Sequence, residues 1–184
     1  ASNNTGVGFA ALGANTTGTQ NVAVGSQALD ANTTASNNTA LGAFAASGIT
    51  TGADNTAVGR ASLFTNTTGS NNTAVGKDAL TANTTGGDNT AVGYHALLVN
   101  TTGASNVAVG QDALKTNTTA SNNVALGADA LELNTTGFAN IAIGRLALGN
   151  NTTASNNVGI GHNALTANTT GASNVAIGGL TLDE

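Results

Sequence analysis

One asparagine returns at every seventeenth residue along the chain: Asn4, Asn21, Asn38, Asn55, Asn72, Asn89, Asn106, Asn123, Asn140, Asn157 and Asn174. No insertion or deletion disturbs the interval. A fixed period is the signature of a repeat architecture in which like units stack on like units. Numbered from that asparagine, the consensus is Asn-Thr/Val-Ala-Val-Gly-x-x-Ala-Leu-x-x-Asn-Thr-Thr-Gly/Ala-x-x. Residues 1–184 therefore read as one repeat domain of ten complete units and the start of an eleventh. The leading Ala1-Ser2-Asn3 reads as the tail of a preceding unit, which suggests a segment of a longer protein.

The invariant columns say what each unit must do. Position four is always a branched aliphatic, as in Val24, Val58, Val75 and Val92, and position five is always Gly. Position nine is Leu, as in Leu29, Leu63, Leu80 and Leu97, except for Ala46 in the third unit. Position eight is nearly always Ala, and positions thirteen and fourteen are Thr in all complete units. Charges are confined to the remaining columns. Lys and Arg occupy positions six (Arg60, Lys77, Arg145) and ten (Lys115). Asp and Glu occupy seven (Asp78, Asp112, Asp129), ten (Asp30, Glu132, Asp183), eleven (Glu184) and seventeen (Asp54, Asp88). Charges avoid burial unless paired, so six, seven and ten are expected to face water and seventeen to lie at a wet corner.

A helical coil needs more than seventeen residues, and Gly at five with paired Thr at thirteen and fourteen opposes long helices. The expected fold is all-β: a parallel β-solenoid with one unit per coil, made of two short extended segments and two corners. Residues two to four form one strand, and alternation is expected to point Thr/Val and Val inward with Ala on the other face. Gly at five permits a sharp bend. Ala-Leu at eight and nine belongs to a second extended or turned segment with Leu inward. The Asn-Thr-Thr-Gly run makes the other corner. Stacking in register would build amide ladders from Asn21, Asn38, Asn55, Asn72 and Asn89 and hydroxyl ladders from the Thr columns. Two large aliphatics per coil make a thin core. The small-residue columns at three and eight then look suited to packing against neighbouring chains, as in a trimer around a shared axis.

Segments such as Asn106-Val107-Ala108-Val109-Gly110 and Asn174-Val175-Ala176-Ile177-Gly178 resemble the head repeats of trimeric autotransporter adhesins, the haemagglutinin-type repeats. The unit with its Asn-Thr-Thr-Gly linker is also similar to repeats of phage-type tail fibres and large bacterial surface proteins. The resemblance covers essentially the whole chain. It implies a trimeric left-handed parallel β-roll at a cell or virion surface, binding host matrix or surface glycan or protein ligands. The family's repeats run shorter, and its membrane-anchor barrel and coiled-coil stalk do not occur in this sequence.

Nothing in the sequence points to catalysis. His95 and His162 sit four units apart, too far to share a metal with common ligands. Asp112 and Asp129 occupy one column in adjacent units, but the Gly-Gly-x-Gly-x-Asp calcium repeat is missing. No cofactor or metal is expected. Only four Lys and Arg are present against nine Asp and Glu, which argues against nucleic acid as a partner. No apolar run is long enough to span a membrane. The expected role is a rigid extracellular fibre segment for surface attachment or spacing, not an enzyme. End-to-end stacking into filaments and ice binding through the Thr columns are the alternatives. Asn-Thr-Thr at Asn15, Asn32, Asn66 and Asn83 also matches the glycosylation acceptor pattern, although a corner ladder explains it as well. Five aromatics break the repeat and are candidate surface contacts: Phe9 and Tyr94 at position six, Phe44 at seven, Phe64 at ten and Phe138 at sixteen.

Overall fold

The computed structural model describes residues 1–182, so Asp183 and Glu184, expected to face water, lie outside the described residues. The chain is a parallel β-solenoid. Each unit contributes one three-residue strand, from β1 (Thr5–Val7), β2 (Val22–Val24) and β3 (Thr39–Leu41) through every seventeenth residue to β11 (Val175–Ile177). The eleven strands form one sheet in sequence order. Register is strict, with Thr56, Ala57 and Val58 opposite Thr73, Ala74 and Val75. At the usual inter-strand spacing of about 4.8 Å, ten steps make a rod about 48 Å long.

The strand faces are reversed from expectation. Ala at position three points into the core: Ala23, Ala40, Ala57, Ala74, Ala91, Ala108, Ala125 and Ala142 have no exposed surface. Positions two and four point outward, so Val24 is 37% exposed and Val58, Val75 and Val92 are half-buried on the outer face. The reason is the thinness of the coil. In the tenth coil Gly159 occupies position three, and a Cβ added there would lie 3.1 Å from the carbonyl oxygen of Ala164 and 3.2 Å from Cγ of Leu148. The strand packs straight onto positions eight and nine, with room for a methyl group and no more. The Ala columns at three and eight are therefore the interior of one chain and are not free to pack against a neighbouring one. Leu at position nine fills the rest of the core, and Leu29, Leu63, Leu80 and Leu97 are fully buried as expected.

Of the two forms open to the second segment, extended or turned, the structure has the turned one. Positions six to eleven are a run of turns. The amide of Ala28 donates to the carbonyl of Gly25, that of Leu98 to His95 and that of Asn32 to Leu29. Residues at seven and nine adopt left-handed backbone in every coil, among them His95 (φ 59°) and Leu97 (φ 52°), and so do those at seventeen, such as Asp88 (φ 59°). For an L-residue this costs roughly 1–2 kcal/mol, and Leu is an uncommon occupant. Hydrogen bonds between coils offset it: Leu97 donates to the carbonyl of Ala113, and His95 to that of Lys77. Gly at five answers a different demand. Gly93 has φ 137°, and a Cβ there would sit 2.5 Å from the carbonyl oxygen of Gly110 in the next coil.

Two asparagine columns close the other side. Oδ1 of each position-one Asn accepts the main-chain N–H of the next one, at 2.8–3.0 Å through all ten steps. Position-twelve side chains form a second ladder, with Asn83 Nδ2 donating to Asn66 Oδ1 at 2.8 Å and Asn100 Nδ2 to Asn83 Oδ1 at 2.9 Å. Both columns also converge on the carbonyl at position fifteen. Gly86 oxygen accepts from Asn72 Nδ2 at 2.9 Å and from Asn83 Nδ2 at 2.8 Å. Asn32, Asn66 and Asn83 have no exposed surface, so a glycan on them is incompatible with this fold. The Thr hydroxyls at position thirteen donate to the next coil's carbonyl, as Thr84 Oγ1 does to Thr101 at 3.0 Å, and not to one another.

Candidate functional site

Two long surfaces of the rod are candidates for contact with other molecules. The first is the outer face of the sheet. Its position-two column reads Thr, Val or Ile and its position-four column Val, Leu or Ile, with no charge in any of the eleven coils. Leu41, Val109 and Ile141 on this face are 38%, 37% and 37% exposed. β-Branched residues suit such a face, since they pack well on a pleated surface. What distinguishes the face is its continuity along the rod, because scattered apolar residues on a surface are ordinary.

The second is the flank formed by positions six, seven and ten, which carries most of the charge and four of the five aromatics. Phe44 and Phe64 meet edge to face with ring centroids 6.2 Å apart and planes at 70°. With Ala61, Arg60 and Asp78 they line a shallow recess of about 240 Å³. Tyr94 stacks on His95 at 3.6 Å and lies under the Lys77 ammonium at 5.2 Å. Phe9 stands alone on the first coil and Phe138 on a different corner, where its amide donates to Ser155 Oγ. The structure thus gathers Phe44 and Phe64 into one site and Tyr94 into an adjoining one, and leaves Phe9 and Phe138 apart from both.

Successive residues at position seven form a charged ladder. Asp78 lies 3.6 Å from Arg60, 3.4 Å from Lys77 and 3.9 Å from His95 Nε2. His95 Nδ1 is 3.3 Å from Asp112 Oδ1, and Lys115 bridges Asp112 at 3.4 Å and Glu132 at 3.5 Å. Position seven is drier than its charges suggest, since Asp112 is only 8% exposed. Asp78 meets Arg60 of the preceding coil and Lys77 of its own, and Asp112 meets Lys115 of its own coil, which is how burial is tolerated. Burial opposes the charge on Asp112, but the Gln111 amide, the Lys115 ammonium and His95 together outweigh it and hold its carboxyl below the ordinary range. Burial likewise opposes the charge on Lys115, and Asp112 and Glu132 outweigh it and raise its ammonium above the ordinary value. His162 lies four coils beyond His95, and among the described residues no three metal-ligating side chains come together.

The fold places this chain among β-solenoid repeat proteins. No protein-family model matches it, and neither a curated protein nor a solved structure shows significant similarity to it.

Proposed function

We propose that the chain is a rigid segment of an extracellular fibre, acting in surface attachment or spacing and performing no chemistry of its own. The observation that carries this reading is the uncharged outer sheet face, continuous over all eleven coils, on a rod whose interior is fully used by its own Ala and Leu columns. In water the continuous aliphatic column at position four of this face is stabilised by being covered. The partner fitting it best is a second and third copy of the same chain, because a periodic face matches its own period at every rung. The self-association surface is then positions two and four, in place of the Ala columns. The resemblance to adhesin head repeats supports a trimer and a location at a cell or virion surface.

Native mass spectrometry and sedimentation of the purified chain test the proposal. A trimer is expected, and Val75→Lys with Val92→Lys on the outer face is expected to release monomers that keep their circular dichroism. A wild-type chain that stays monomeric at micromolar concentration would overturn the assembly, and electron micrographs of long unbranched filaments would favour end-to-end stacking. Ice binding has less support: the position-thirteen hydroxyls are spent on carbonyls, and position fourteen leaves a single exposed Thr column.

A further inference from the structure

We infer that the recess between the third and fifth coils is a binding site for one acidic sugar unit of a glycan, a pyranose ring bearing a carboxylate. The inference rests on the adhesive reading above and names its ligand. Four observations carry it.

The floor is apolar and aromatic. Phe44 and Phe64, from adjacent coils, offer ring surface beside the methyl group of Ala61. Nowhere else among the described residues do two Phe rings meet. An aromatic surface pairs well with the C–H face of a sugar ring, because its negative π cloud attracts polarised C–H groups.

The rim carries one cation, Arg60. Arg60 is exposed, lies 3.6 Å from Asp78 and makes no side-chain hydrogen bond among the described residues. Its planar fork can bind a carboxylate through two parallel N–H donors. Lys77 lies outside the recess lining and 3.4 Å from Asp78, so Arg60, Lys77 and Asp78 together sum to one positive charge beside the recess on a chain of net charge −5. An anion is favoured here relative to the chain as a whole, whose net charge is −5.

The size suits one ring. At about 240 Å³ the recess is smaller than the roughly 300 Å³ at which sites for drug-sized ligands begin.

The flank selects against an extended peptide. Such a peptide binds by adding a strand to free backbone groups. At position seven the amides are spent between coils: Ala61 donates to Ala43, Asp78 to Arg60 and His95 to Lys77, so no strand can pair along that column. Beyond the recess, Lys77, His95 and Gln111 border the positions that further sugar units would take.

Ligand-observed saturation-transfer NMR on the whole chain tests this, irradiating the upfield methyl protons of the protein, clear of every probe resonance including the ring protons of benzoate. The probes are methyl glucuronide and the methyl glycoside of N-acetylneuraminic acid, against methyl glucoside, benzoate and a short acidic peptide. Transfer to the ring protons of one or both acidic sugars is expected, weakened at least about tenfold by Phe64→Ala and by Arg60→Gln, partly restored by Arg60→Lys and unchanged by Phe138→Ala. Unchanged melting curves would show that the exposed substitutions leave the rod intact. Silence from both acidic sugars at about 10 mM, equal binding of the neutral glucoside, benzoate binding as strong as the uronate, or binding of the peptide alone would each overturn the site. Oligomeric state is read separately by sedimentation, so failure here and failure of the fibre reading are distinguishable.

Discussion

The two asparagine columns look alike in sequence and differ in what they hold. The position-one column runs without a break from Asn4 to Asn174, whereas the position-twelve column is interrupted by Ile49. Each position-one Oδ1 receives a main-chain N–H, as Asn89 does from Asn106 at 3.0 Å. Losing one such residue strands a backbone donor in a dry interior, one of the costlier faults in a protein. Along its ladder a position-twelve Oδ1 receives a side-chain amide, as Asn100 does from Asn117 at 2.9 Å, and that amide keeps a second acceptor in Ala120; the last of the column, Asn168, takes the Gly171 N–H in its place. The one break in this column leaves one buried acceptor, Asn32 Oδ1, without a partner. The third coil accepts that cost because it also has Ala46 where the others have Leu, and the fully buried Ile49 returns the missing hydrocarbon to the core.

Leu97→Ala puts Ala at position nine in a coil that keeps Asn100 at twelve, so nothing returns the lost volume. It should cost about 2–5 kcal/mol in denaturant unfolding. Asn89→Ala should cost about 2–4 kcal/mol and Asn100→Ala about 1–2 kcal/mol, since only the first strands a main-chain donor. Equal losses would erase the distinction between the columns.

A finer probe is the cycle in the third coil. Ala46→Leu alone overpacks against Ile49 and Ile49→Asn alone empties the core, each costing about 1–3 kcal/mol. The double variant restores the consensus and gives Asn32 Oδ1 its donor, so it should match or exceed the wild type. The coupling is then the sum of the two single costs or more, at least about 2 kcal/mol, and simple additivity would show that the two sites do not compensate each other.

The smallest effect is on the flank. Asp112 has a lowered pKa in the folded rod, so its contribution is present above the ordinary aspartate value of about 3.9 and is lost as pH falls through the lower folded value. Lys115 has a raised pKa, so its contribution is present below about 10.4 and is lost as pH climbs through the higher folded value. Asp112→Asn should flatten the acid limb of a melting-temperature profile by less than about 1 kcal/mol equivalent. An unchanged limb would mean the pair is screened out.

The period, the parallel stack, the buried Leu column and the amide ladders were legible because each follows from like residues recurring at one interval. The facing of the strand was not. Hydrophobicity favoured Val inside over Ala, but the width of the coil decided the matter, and width is set by how closely positions eight and nine approach the strand. A signal was present in the columns themselves. Position three varies only between Ala and Gly, as in Ala142 and Gly159, while position two exchanges Thr for Val, as in Thr90 and Val107. The first is a limit on size, and the second is what a half-wet surface permits. At six to eleven a turned segment was one of two readings, but its left-handed backbone was illegible for another reason: Leu at position nine carries no propensity for it, and only contacts between coils hold it there. On the flank, the adjacency of Asp78, His95 and Asp112 could be read from their common position. The meeting of Phe44 with Phe64 depends on how positions seven and ten of neighbouring coils approach, which no single column reveals.

Strict register has a consequence for how such a chain changes over generations. Every coil offers its successor the same mould that its predecessor offered it, so a whole unit gained or lost by duplication or deletion alters no residue's surroundings except at the splice. The reach of the rod is thus free to drift while its cross-section is held fixed, and a specialised patch such as the aromatic flank can be carried nearer to or farther from an anchoring point without being rebuilt.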